Sequence, residues 1–80
     1  MISPVREALN ESGLSASQFA TICGVHVTGI HIALRGDSSK LSDRILNGLE
    51  RLGYSRDVMS ELYAKYREER KEAVMAQLIS

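Results

Sequence analysis

Apolar residues recur at helical spacing through almost all of this 80-residue chain, and glycines interrupt the pattern at 13, 24, 36 and 53. An apolar period of three to four residues specifies amphipathic helices, and a glycine just past such a stretch is the residue that closes one. The chain has a single proline, Pro4, and its only short β-branched alternation is Val25-His26-Val27. The pattern predicts an all-α chain of five helices, the last of them long or broken.

Local signals place each helix. Ser3-Pro4 reads as a helix start, with Ser as N-cap and Pro at the first helical position. Val5, Ala8 and Leu9 form the stripe that follows. Ser15 and Gln18 have capping-box spacing, and Phe19, Ala20 and Cys23 share a face behind them. The third helix runs from about Val27 to Leu34, with Ile30, Ala33 and Leu34 on one side. Gly29 inside it costs about 1 kcal/mol relative to Ala. That cost predicts close approach by the second helix or by a ligand backbone. Ser42 caps a fourth helix with Ile45, Leu49 and Leu52 as its stripe. Ser55 starts the last segment, whose stripe is Val58, Met59, Leu62, Tyr63 and Tyr66. A charged run from Arg67 to Glu72 follows. Val74, Met75, Leu78 and Ile79 then resume the apolar pattern.

Eighty residues make one domain with a small core. Ten Lys and Arg balance ten Asp and Glu. That argues against a nonspecific polyanion binder, which would be basic, and leaves specific DNA binding open. The single cysteine, Cys23, has no internal partner and reads as a core residue in a reducing compartment. The N-terminus does not read as a signal peptide, and no apolar run reaches the roughly 18 residues of a membrane span. The expected location is cytoplasmic, without membrane association. His26 and His31 diverge by about 140° around a helix, so no metal site is expected. Neither a cofactor nor an enzymatic activity is expected, because the chain shows no paired carboxylates, phosphate-binding glycine loop or nucleophile with a base.

Two helices joined by a glycine-bearing turn make a helix-turn-helix layout. The stretch LSASQFATICGVHVTGIHIALRG resembles the Cro/CI-repressor-like (XRE-type) family of DNA-binding domains. The matching residues are Leu14, Ser15, Phe19, Ala20, Cys23, Gly24, Val25, Ile30 and Gly36. LERLGYSRDVM continues the likeness through Leu52, Gly53, Ser55, Asp57 and Met59. The resemblance implies a five-helix, lambda-repressor-like helix-turn-helix domain over residues 1–62, with an extended C-terminal helix and a tail at 63–80. It implies base contacts from Val27, Thr28, His31 and Ile32, and phosphate contacts from Ser17, Gln18, Arg35 and Lys40. Methyl-bearing Val, Thr and Ile pack on thymine methyls, so A·T-containing sites are expected. Members of the family often carry Arg and Glu at the positions of Leu9 and Leu34, as a buried ion pair. Replacing both by apolar residues is often neutral or stabilising, which predicts that the two leucines meet.

Val74, Met75, Leu78 and Ile79 lie beyond the family's core and lack an evident partner. Dimerisation through them is the expectation; folding back on the domain and docking a different protein are the alternatives. The expected function is a sequence-specific transcriptional regulator acting on a double-stranded operator. It would be a small phage- or plasmid-type repressor or an autoregulatory antitoxin, acting as a homodimer on half-sites about 34 Å apart. The alternative is a protein-interaction module, an antirepressor or adaptor, that keeps the fold without binding DNA. Neutral charge and exposed Val27 and Ile32 favour that alternative.

Overall fold

Helix-closing bonds repeat along the chain and fix where it turns. The computed structural model describes residues 2–79, the side chain of Ile79 excepted. Among these residues the chain forms five helices and no strand. They are α1 (Pro4–Ser12), α2 (Ala16–Cys23), α3 (Val27–Arg35), α4 (Asp43–Arg51) and α5 (Arg56–Ile79). The ends of α1, α2 and α3 close alike, by Leu14 N–H to Leu9 O, Val25 N–H to Ala20 O and Asp37 N–H to Ile32 O. Each bond satisfies a carbonyl that the helix itself leaves open.

The starts differ in a way the sequence pattern did not convey. Ser15 and Gln18 form the expected capping box, and the Ser42 hydroxyl accepts from the Ile45 N–H. Ser3 occupies the cap position of α1 but makes no capping bond. Its side chain is turned inward, and its hydroxyl is buried without a partner among the described residues. Pro4 removes one of the four N–H groups that a helix start leaves open and presets the helical φ, so α1 starts on proline geometry.

One core joins all five helices. Val5 and Leu9 from α1, Phe19 from α2, Ile30 from α3, Leu49 from α4 and Tyr63 from α5 are almost fully buried. Burying a side chain of this size contributes about 1.5–3 kcal/mol. Leu9 and Leu34 are both buried in this cluster. Of the stripe expected on α5, Met59 and Tyr63 are core, whereas Val58 and Leu62 are exposed. α5 is continuous through the charged run. The division expected after residue 62 therefore falls inside a helix, and Tyr63 beyond it is only 1% exposed.

α5 also fastens the end of α3. The Tyr63 hydroxyl donates to Ser38 O at 2.8 Å, and the Arg67 Nε–H donates to Gly36 O at 3.0 Å. A second Arg67 bond reaches Ser39 O, and Tyr66 reaches Leu34 O. A cation on the last carbonyls of a helix complements its dipole. Gly36 has φ 74°, and a Cβ there would stand 3.0 Å from the Tyr66 ring, so the position requires glycine twice over.

Candidate nucleic-acid interface

The chain bends by 112° between α2 and α3 across Gly24, Val25 and His26. Val25 and Ile30 hold the junction: Ile30 is fully buried and Val25 packs on the core. Ala33 and Leu34 complete the inward side of α3. Residues 13–34 contain no Asp, Glu, Lys or Arg, so the surface of the two helices is uncharged up to Arg35, the last residue of α3.

The start of α3 is built by His26. Its Nδ1 accepts the Thr28 backbone N–H at 3.1 Å and lies 2.9 Å from the Thr28 hydroxyl. Histidine is not among the usual capping types, so the residue type gives this cap no signal in the sequence. His26→Ala removes the acceptor and is expected to cost about 1 kcal/mol, read as a lower thermal midpoint. His26→Asn, whose side-chain oxygen can take the same N–H, should retain most of that stability.

The residues expected at bases divide into two pairs. Thr28 and His31 are exposed on α3, one turn apart. Val27 and Ile32 are half-buried: Val27 packs on the core, and Ile32 lines a hollow of about 200 Å³ between α3 and the loop before α4. Val25, Gly29, Lys40 and Ile45 line the same hollow. The fully presented part of the face is therefore more polar than the residue types suggested.

Of the two approaches expected at Gly29, the structure removes the one by the second helix. A Cβ placed there would meet only Val25 Cγ2, at 4.0 Å, so helix packing does not require glycine. Gly29→Ala is expected to raise stability by about 1 kcal/mol through helix propensity, measured by thermal unfolding. The tight helix crossing is instead at Gly48 of α4, where a Cβ would overlap Cys23 Sγ and stand 3.2 Å from the Phe19 ring.

The residues expected at phosphates surround this face. Ser17 and Gln18 are exposed at the start of α2; the Gln18 Oε1 is used by the capping box, and its amide nitrogen is not. Arg35 is exposed but ion-paired with Asp37 at 2.9 Å, which offsets part of its charge. Lys40 is exposed on the rim of the hollow. Arg44, which sequence reading passed over, donates to Gly24 O at the α2–α3 turn. Its signal was position: it lies one helical turn before Gly48, on the side of α4 that meets α2. Cations thus border an uncharged surface.

Cys23 is buried beneath α4, and desolvation pushes its thiol up while Arg51 pulls it down by a smaller amount. A buried, protonated thiol is a poor nucleophile. Among the described residues no three His, Cys, Asp or Glu side chains converge as metal ligands. No single described helix is long and apolar enough to cross a membrane. Comparison of the chain with known protein families, curated proteins and solved structures finds no match.

Proposed function

We propose that the protein is a sequence-specific reader of double-stranded DNA, with a lambda-repressor-like helix-turn-helix arrangement, acting as a small transcriptional regulator. The observation that carries this reading is the α2–α3 unit: a 112° bend over a three-residue turn, with the apolar side of α3 buried and Thr28 and His31 presented outward. A pair of helices at that angle places the second in the major groove while the first crosses the backbone.

The hydrogen bonds at His26 sharpen the chemistry. Nδ1 is an acceptor there, so the neutral ring carries its proton on Nε2, a donor at the edge of the unit. A Thr28 hydroxyl that donates to Nδ1 offers its lone pairs outward, as an acceptor for adenine N6 or cytosine N4. His31 adds a second polar contact, and the methyl of Thr28 suits a thymine. Lys40, Arg44 and Arg35 at the border supply contacts to phosphate.

Few cations act directly, so the salt dependence should be measurable but shallow. With two or three phosphate contacts, log affinity for duplex DNA should fall against log salt with a slope of about −2 to −3. Fluorescence anisotropy of a labelled duplex across a salt series checks this. No binding at low salt would instead support the protein-interaction module.

A further inference from the structure

Apolar surface is left open at the end of α5, where Val74, Met75 and Leu78 are exposed. The side chain of Ile79, expected beside them, lies outside the described residues. Apolar surface is also left open in the hollow of about 200 Å³ beside α3, and there several elements meet around it. Val25 of the α2–α3 turn, Ile32 of α3 and Ile45 of α4 are its apolar walls. Lys40 and Ser42 stand on the side formed by the loop before α4. That loop is held in place: Tyr63 donates to Ser38 O, Arg67 donates to Ser39 O, and Leu41 is buried. The recess is therefore preformed.

Gly29 is the part of this recess that packing does not explain. It lies in the interior of α3, at a cost in helix propensity. A Cβ there would touch only Val25 Cγ2, which is itself a wall of the hollow. The missing side chain thus leaves the hollow open and admits no neighbouring helix.

We infer that the hollow binds a small carboxylate whose apolar body is about the size of one aromatic ring. Volume sets the size, since an apolar cavity of about 150 Å³ accepts benzene. Charge sets the other end. Lys40 forms no ion pair among the described residues. The Ser42 hydroxyl accepts from the Ile45 N–H, and its own proton has no acceptor among the described residues. An ammonium and a hydroxyl proton at one end of an apolar recess suit a carboxylate. Among the described residues no Asp or Glu lines the hollow. The acids on either side of the loop, Asp37 and Asp43, pair with Arg35 at 2.9 Å and with Arg56 at 3.9 Å. Arg44 of α4 is engaged by Gly24 O. A bare phosphate would leave Val25, Ile32 and Ile45 uncovered, and a neutral hydrocarbon would leave Lys40 without a counter-charge.

The site does not depend on DNA reading. Lys40 is also among the cations proposed to meet phosphate, so on that reading the carboxylate and the duplex compete for it.

Benzoate, with acetate and benzyl alcohol as its two partial analogues, tests the site in the full chain without DNA. A titration followed by amide chemical shifts should show saturable binding of benzoate, with a dissociation constant of about 1 mM or tighter. The shifts should centre on Val25, Gly29, Ile32 and the loop from Ser38 to Ser42. Acetate lacks the apolar body and should bind at least about tenfold more weakly. Benzyl alcohol lacks the charge and should bind about fivefold more weakly, and Lys40→Ala should lower benzoate affinity by a similar factor. Gly29→Leu fills the hollow from α3 and should lower benzoate affinity at least about tenfold. Its thermal midpoint should be no lower than that of the wild type, because leucine is the better helix former. No saturable binding, shifts centred elsewhere, or acetate or benzyl alcohol binding as tightly as benzoate would each overturn the inference. So would unchanged affinity in Lys40→Ala or in a folded Gly29→Leu variant.

Discussion

Gly48→Ala is expected to unfold the protein roughly 8–16 °C earlier, although alanine is the better helix former. The added Cβ overlaps Cys23 Sγ, and Phe19 blocks the other escape at 3.2 Å. Both residues are buried. Overpacking costs up to about 3 kcal/mol, the end of the range at which an outright overlap with a buried atom falls, and the gain in helix propensity returns about 1. A small backbone shift of α4 away from α2 would raise the cost further, since Leu49 beside Gly48 is fully buried. A net loss of about 2 kcal/mol is a large fraction of what an 80-residue domain has. The contact makes a second expectation. Cys23→Ala removes the sulfur that collides, so the double variant Cys23→Ala/Gly48→Ala should melt well above Gly48→Ala alone. Thermal unfolding of the four proteins gives the coupling directly. Equal midpoints for Gly48→Ala and the wild type would show that α4 does not meet α2 as closely as described.

The second large effect concerns Thr28 and His31. Each base contact is worth about 1–3 kcal/mol of discrimination, so Thr28→Ala/His31→Ala should weaken binding to the preferred duplex on the order of 100-fold or more. Affinity for unrelated duplexes should hardly change, because phosphate contacts carry it. His31→Ala touches no described hydrogen bond, so its effect is the cleaner measure. Thr28→Ala removes only the hydroxyl's link to His26; the backbone cap is retained. Lys40→Ala should behave oppositely, weakening all duplexes alike and flattening the salt slope by about 1. A double variant that discriminates as well as the wild type would mean that α3 is not the reading element.

Much of the helix order was legible because the signals are local. Helix ends at Gly13, Gly24 and Gly36 follow from one backbone conformation that glycine tolerates, and the Ser15–Gln18 box follows from spacing alone. The inward side of α3 followed from the period of Ile30, Ala33 and Leu34. What was illegible depends on which helices meet. Gly29 and Gly48 are both glycines inside helices, and only the packing of α4 on α2 shows that the second is the tight one. Ser3 stands at the cap position as expected, but a hydroxyl before proline has two uses, capping and burial, and sequence does not choose between them. The base-reading set was half legible: Thr28 and His31 lie outward by periodicity, while Val27 and Ile32 stand at the flanks, where burial depends on the neighbouring loop and core. Asp37 is two residues from Arg35, near enough for pairing to be read in the sequence, but the ion pair itself required the turn at Gly36.

The account rests on the outward face of α3 recognising duplex DNA. Selection from a pool of randomised duplexes at low salt, run in parallel with the wild type and with Thr28→Ala/His31→Ala, examines that most directly. The account predicts a motif enriched by the wild type and lost or altered with the variant. Failure of the wild type to enrich any motif, or recovery of an identical motif by both proteins, would contradict it.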